Sequence, residues 1–472
     1  MMMIRTSLLM IWIIRATCLA QITSYTKVIS TNKGTGLSKI YRILPEDITP
    51  GGILPSTSIQ EKATRSYGPV RKLTAGIRST FIPSGYPTST PPGYLKYSMW
   101  SWIQDLSSQL RGVLATQRVL EGVGVGRPGA TALSALLNFL VRDGCGMVAS
   151  LCFTSLASST FSTDGKRWRL FADIMVDLGL TLEACATAVP EPFFLPMICL
   201  GNMFKAICGV AAGAVNGVFN LHWARGSDIA DIQAKSGAQH TVTGSLGLLF
   251  SYCFVQSIAT VNPSHVWSIY IALTILHLYA NMMCMRIIAF DYLNTPRMRI
   301  LVHQFLDQWN NSDDDESPLL MDPVKLARKE PLLFGVPYTQ ERSPVTILFG
   351  ESFESHRQKT QEGNEIIATN HFSGSLSESL KDQKYLISSV SKGRKHRIVV
   401  SLAAQATARD KTRAYLHAMI LGRTLQDSEP EVLATALMET AWTSFERACS
   451  KVGWDLDRTE LHSMGYELSL VE

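Results

Sequence analysis

The sequence predicts an all-α polytopic membrane helix bundle with a small soluble α or α+β C-terminal domain. Two observations lead there. Charged residues make up 18% of the 472-residue chain and hydrophobic residues 46%, against roughly one-quarter charged in a soluble domain. From Ser236 to Met285 there is no Asp, Glu, Lys or Arg, a run of about 50 residues, long enough for two spans of about 20 each.

Residues 1–80 read as a targeting or disordered segment. No acidic residue precedes Glu46, while Arg5, Arg15, Lys27, Lys33, Lys39 and Arg42 are basic. An acidic-poor, basic, hydroxyl-rich leader has the composition of an organelle transit peptide, mitochondrial or plastid. The alternative is a secretory signal at Leu8–Ile14, which Arg15 cuts too short to span a bilayer. Residues from about 45 to 95 are rich in Pro, Gly, Ser and Thr, and Pro83, Pro87, Pro91 and Pro92 exclude regular helix there. Phe81–Pro87 reads as an extended lead into the folded part.

Residues 81–300 form the membrane domain, with spans between about 130 and 285. Trp100, Trp102, Ile103, Leu106 and Leu110 recur at helical spacing, but Arg111 and Arg118 make Tyr97–Leu120 too polar to span. This segment is expected at the interface or in the cytosol. Gly122, Gly124 and Gly126 then form a hinge. Gly124-x-Gly126-x-x-Gly129 fits the dinucleotide fingerprint, but a helical segment stands where a strand is needed and Pro128 interrupts the turn. No cofactor is expected.

Gly144–Phe161 is uncharged over about 18 residues, the lower limit for a span; whether 130–161 crosses once or folds back is open. Leu170–Val189 is apolar except for Asp173, Asp177 and Glu183, and Phe193–Ala224 contains Lys205. Asn262-Pro263-Ser264 breaks the longest run, so Thr241–Val261 and Val266–Met285 read as a helical hairpin. Lys166, Arg167 and Arg169, then Arg225 and Lys235, then Arg286, Arg297 and Arg299 fall on one side, as the positive-inside rule requires.

The region 301–398 is an acidic linker, marked by Asp313–Glu316, followed by a polar, partly flexible stretch. Residues 399–472 form a C-terminal helical domain, with helices expected at Val400–Leu421 and Pro430–Lys451.

Nine cysteines without a Cys-x-x-Cys pair argue against a metal site and a disulfide framework. A net charge of +5 without a basic, aromatic-interleaved stripe argues against nucleic acid. The partners expected are the lipid bilayer and a second protomer or paralogue. Gly209, Gly213 and Gly217 lie four apart in an uncharged helix, a seam that lets another helix approach closely within the bundle or between protomers. Asp173 and Asp177 share a helix face. With Lys205 and Asn202 they form a candidate path for a solute or ion, since ionisable groups inside spans are costly and usually functional. Ser227–Lys235 reads as a charged connector, and His222, His240 and His277 as isolated structural residues.

These segments together resemble the root-UVB-sensitive family. The resemblance rests on FIPSGYP (81–87), LRGVLATQRVLEGVGVG (110–126), LVRDGCGM (140–147), KRWRLFADIMVDLGLTLE (166–183), CLGNMFKAICGVAAGA (199–214) and HWARGSDIADIQAKSGAQHT (222–241), with His277, Asn281, Leu293, Asn294 and Arg297. The chain departs from the family pattern at Arg127, Ala149-Ser150, Val176 and Ala238. The resemblance implies links to plastids, seedling development, light-stress tolerance and pyridoxal phosphate homeostasis, with paralogues working together. It carries over no catalytic residue. The expected function is solute or ion transport or sensing, linked to vitamin or cofactor homeostasis and stress tolerance. The alternative is a non-transporting scaffold acting through a paralogue or soluble partner. No enzyme activity is expected.

Overall fold

The computed structural model describes residues 26–31, 38–43, 60–61, 69–126, 128, 131–226, 228–258, 261–309, 318–332, 345–350, 352, 384–392, 395–425, 430–463 and 465–469. The leader before residue 26, Ser227, the Asp313–Glu316 run and most of the polar stretch at 355–395 lie outside these residues. The chain divides into two compact units, Met1–Pro92 with Trp223–Val242, and Gly93–His222 with Thr243–Glu472.

The smaller unit contains an antiparallel sheet, β1 (Thr26–Thr31), β2 (Ser38–Ile43) and β3 (Gln60–Glu61), and helix α1 (Pro69–Phe81). Helix α1 stops just before Pro83, so of the stretch at 45–95 expected to be free of helix, Pro69–Phe81 is helical and the described residues 82–93, which hold the four prolines, are not. The segment after it is not extended but turned, with Tyr86 bonded back to Pro83 O. Two of the motifs quoted above meet here. Asp231 Oδ2 accepts from Ser84 N at 2.8 Å, Gln239 Nε2 donates to Phe81 O at 2.6 Å, and the Lys235 ammonium donates to Ser79 O. The charged connector is therefore a clamp on the FIPSGYP turn.

The larger unit holds α2 (Tyr94–Gly122), α3 (Ala132–Ala157), α4 (Gly165–Cys185), α5 (Glu191–Trp223), α6 (Ile229–Ile258, from Thr243 onward) and α7 (Pro263–Ile287). Four helices, α3, α5, α6 and α7, are long and apolar enough to cross a membrane, and only 11, 11, 17 and 33% of their most apolar windows is buried inside the chain. Leu133, Leu137, Leu151, Leu248, Leu249 and Ile275 are more than half exposed. In water such surfaces would be unfavourable by about 25 cal/mol per Å². Helix α3 is continuous through Arg142 and Asp143, so 130–161 does not fold back. The predicted break at Asn262-Pro263 separates α6 from α7; Asn262 Oδ1 caps α7 by accepting from Ser264 N, and Pro263 fits the first helical turn.

Helix α2 corrects the interfacial expectation. It packs against both α4 and α7. Its buried face holds Ser98, Gln104, Ser107 and Arg111, while Met99, Trp102, Ile103 and Leu120 point outward. An apolar exterior around a polar inner face is the reverse of a water-soluble helix. Arg111 does not exclude α2 from the bundle, because a carboxylate inside the bundle receives it.

Of the two settings expected for the glycine seam, within the bundle or between protomers, the first is not seen among the described residues. A Cβ on Gly209, Gly213 or Gly217 would meet nothing within 4 Å, and all three are exposed, so no helix of this chain packs there among the described residues. The close crossing lies elsewhere. A Cβ on Gly179 of α4 would stand 2.6 Å from Gly201 O, and one on Gly201 of α5 would stand 2.9 Å from Gly179 O. Side chains at either position would push α4 and α5 apart.

The C-terminal part is α+β, the second of the two classes expected, and not the purely helical domain expected over 399–472. Its core runs from Leu293 to Leu461, so it begins ahead of residue 300. It includes β4 (Tyr292–Asn294), α8 (Thr295–Trp309), α9 (Pro323–Lys329), β5 (Val345–Phe349), β6 (Tyr385–Lys392) and β7 (Lys395–Ala403). Helices α10 (Ala408–Thr424) and α11 (Pro430–Val452) and strands β8 (Asp455–Glu460) and β9 (Glu467–Leu468) complete it. Strand β7 is central: β6 pairs antiparallel on one edge, β5 and β9 parallel on the other. Val400 therefore belongs to a strand; the helix expected from there starts at Ala408, where Thr407 and Asp410 form a reciprocal cap.

Candidate functional site

Three helices bring one polar centre together. Helix α2 supplies Gln104, Ser107 and Arg111, α4 supplies Asp173 and Asp177, and α7 supplies Thr274, His277 and Asn281. Arg111 is fully buried, and Asp173, Asp177 and His277 are 3, 6 and 2% exposed. Arg111 Nη1 donates to Asp177 Oδ1 at 2.6 Å and to Thr274 Oγ1 at 3.3 Å, and Nε reaches Ser107 O at 3.4 Å. His277 bridges both carboxylates: Nδ1 lies 3.0 Å from Asp177 Oδ1 and Nε2 4.0 Å from Asp173 Oδ2. Gln104 Nε2 donates to Asp173 Oδ2, and Arg169 Nε stands 3.7 Å from Asp173 Oδ1.

The sequence places the two aspartates four apart on α4, so both face α2 and α7. Bare carboxylates buried this deeply would be costly; the guanidinium and imidazole offset that cost. Arg111 Nη2 and Asn281 Oδ1 are buried without a hydrogen-bond partner among the described residues. The centre thus retains one unmet donor and one unmet acceptor. His277 lies near the midpoint of α7, so the centre sits about halfway along a membrane-length helix.

Of the four residues predicted to line a path, Asp173 and Asp177 meet here and the other two do not. Lys205 Nζ pairs with Glu183 Oε1 at 2.5 Å. Asn202 Nδ2 donates to Arg142 O at 3.0 Å, tying α5 to α3. The predicted hinge divides as well. A Cβ on Gly122 would overlap the Phe194 ring, whereas Gly124 and Gly126 adopt φ of +91° and +84°, which only glycine takes without strain. His277 is not isolated, contrary to expectation, and Arg111 was read as a reason to leave α2 outside. Both lie in positions quoted for the family resemblance, which was the available signal.

A cavity of about 590 Å³ opens between α2, α4, α5 and α6, lined by Gln109, Gln117, Glu183, Lys205 and Ser251 among others. A smaller one of about 240 Å³, lined by Leu114, Arg118, Trp267 and Tyr270, shares Gln117 and Val255 with it. Glu183 lies less than two helical turns beyond Asp177 on α4, so the cavity floor approaches the polar centre. Among the described residues no group of three or more His, Cys, Asp or Glu gathers as metal ligands would.

Residues 69–309 match a family model described as a vitamin B6 photo-protection and homoeostasis domain. The chain is 27% identical over 381 residues to protein root UVB sensitive 3 of Arabidopsis thaliana, covering 79% of this chain and 80% of that one. It is 31% identical over 281 residues to RUS family member 1 of Dictyostelium discoideum, covering 59% and 52%. It is also 31% identical over 238 residues to protein root UVB sensitive 2, chloroplastic, of Arabidopsis thaliana, covering 50% and 53%. The chain thus spans about half the length of these last two relatives. No solved structure matches.

Proposed function

The chain belongs to the root-UVB-sensitive family, and from that premise we propose that it is a polytopic membrane protein that moves or senses a small solute or ion. The solute is one tied to vitamin B6 homoeostasis, in keeping with the family description. The observation that carries the reading is the Arg111–Asp177–His277–Asp173 centre, a guanidinium and an imidazole set against two buried carboxylates beside the midpoint of α7. Ionisable groups at such depth face a bundle interior or a polar path and mark where ions, protons or solutes pass. An imidazole held between two carboxylates is able to accept a proton from one side and release it to the other. The membrane is organellar in this reading, by the basic, acidic-poor leader; the name of one relative carries the word chloroplastic. The protein performs no bond-making chemistry.

A second reading is favoured by the exposed Gly209–Gly213–Gly217 face. There the protein is a scaffold, and another protomer or a paralogue packs against the face at close range.

Flux in proteoliposomes containing the full chain, run with a panel of B6 vitamers, amino acids and protons, separates the two. Transport predicts at least one saturable flux, abolished in the fraction of Asp177→Asn protein that is recovered folded and assembled. Absence of flux with every solute, together with loss of partner capture in Gly213→Leu, would overturn it in favour of the scaffold.

A further inference from the structure

The larger cavity carries charge that the polar centre does not use. Glu183 is 3% exposed and Lys205 27% exposed, and they pair at 2.5 Å on the cavity wall. Apart from that pair, Glu183 Oε1 takes no hydrogen bond among the described residues. Ser251 is buried on the same wall, and its hydroxyl has no hydrogen-bond partner among the described residues. Gln109 adds an amide that lies against Gly247, so that a Cβ at Gly247 would displace the tip of the Gln109 side chain. The remaining charge on this wall, Glu121, is also paired, at 2.9 Å, with Arg118, which lines the smaller cavity. The cavity therefore presents balanced charge, unmet hydrogen-bonding groups and a volume within the range that encloses small molecules.

That balance selects the ligand. A net anion drawn to Lys205 would strip Glu183 of its partner and leave a buried carboxylate uncompensated. A net cation drawn to Glu183 would do the same to Lys205. Breaking a buried pair by taking away one partner is strongly unfavourable. A net-neutral molecule bearing both charges replaces each partner at once, its anionic group on Lys205 and its cationic group on Glu183. We infer that the cavity between α2, α4, α5 and α6 is a binding site for a small zwitterion, held by Lys205, Glu183 and Ser251. Hydroxypyridines, whose ring carries a pyridinium and a phenolate together, belong to this class, as do amino acids and zwitterionic lipid headgroups. Phosphate monoesters such as pyridoxal 5′-phosphate, with their net negative charge, do not.

The inference deepens the transport reading and rests on it for the cavity's bilayer setting. It is tested by equilibrium binding to the purified full chain in dodecyl maltoside. The soluble probes are tritiated pyridoxine and proline, set against pyridoxal 5′-phosphate and inorganic phosphate as net anions. Mass spectrometry of retained lipid forms the other arm. At least one zwitterion is expected to bind saturably, weakened roughly thirtyfold or more in Lys205→Gln and in Glu183→Gln. The charge-swapped Glu183→Lys/Lys205→Glu protein is expected to recover part of the binding. Ser251→Ala, whose hydroxyl supports no other group, is expected to weaken binding without loss of fold. Should the charge variants fail to fold, the swap and Ser251→Ala decide. Retention of a zwitterionic lipid that both charge variants lose supports the same site with a headgroup as the source. The inference is overturned if phosphate or pyridoxal 5′-phosphate binds more tightly than every zwitterion, if none binds, or if well-folded Lys205→Gln or Ser251→Ala binds like the parent. Flux that survives Lys205→Gln would remove this site and leave the transport reading standing; binding with no flux in any vesicle would do the reverse.

Discussion

Replacing Asp177 by alanine is expected to lower stability by about 3–5 kcal/mol, the cost of stranding one member of a buried ion pair. The geometry gives little room for relief. Arg111 has no exposed surface, and its Nη2 has no partner even with Asp177 present. Thr274 Oγ1 at 3.3 Å and Ser107 O at 3.4 Å are neutral acceptors and do not replace a carboxylate. Asp173 is already held by Gln104, Arg169 and His277. Replacing both partners by apolar residues of similar size is a different experiment, because no charge is left behind. Arg111→Met/Asp177→Leu is therefore expected to recover most of the loss. Reversible unfolding in mixed micelles measures all of these variants. A double variant no more stable than Asp177→Ala would show that the pair is not an isolated energetic unit.

Loss of Glu330 should be comparably severe, for a related reason. Its carboxylate, 5% exposed, takes Lys166 Nζ at 2.7 Å on one oxygen and Arg297 Nε at 2.9 Å on the other. Lys166 begins α4, whereas Arg297 belongs to α8 in the C-terminal core. One side chain thus links the two parts of this unit. Arg297 Nη1 also donates to Tyr292 O at 2.7 Å, and its guanidinium lies over the Phe290 and Tyr292 rings. Glu330→Ala leaves two buried cations facing one another, and a destabilisation of about 3–5 kcal/mol or more is expected. Limited proteolysis should then release the C-terminal part at protease levels the parent chain resists; unchanged protection would contradict the linking role.

Acid should act at the same place. Burial pushes the Glu330 carboxyl upward, but the Arg297 and Lys166 charges outweigh it and hold its pKa down at about 2. The folded value therefore lies below the ordinary glutamate value of about 4.3. The stabilisation is complete above the ordinary value and is lost as pH falls from there toward the folded one.

Much of the fold is legible in the sequence, because solvent preference is a local property. The uncharged run from Ser236 to Met285 and the Asn262-Pro263 break define the α6–α7 hairpin without reference to any other helix. Pairing is not local. Arg111 looks too polar for a bundle until Asp177, 66 residues away, is seen to face it. Lys205 looks like a partner for Asp177, yet the antiparallel run of α4 and α5 sets it against Glu183. Three glycines at spacing four mark a face but do not say what occupies it, while the glycines that do touch, Gly179 and Gly201, have no glycine four residues away on either side. The C-terminal strands are legible only as one of two alternatives, because Ile398, Val399 and Val400 form a short apolar run, which periodicity alone does not separate from a buried helix.

Alkaline carbonate extraction of vesicles carrying the full chain tests the membrane setting on which the rest depends. The protein is expected to stay with the vesicle pellet and to enter solution only with detergent. Release into the carbonate supernatant, or a monodisperse preparation without detergent, would contradict the account.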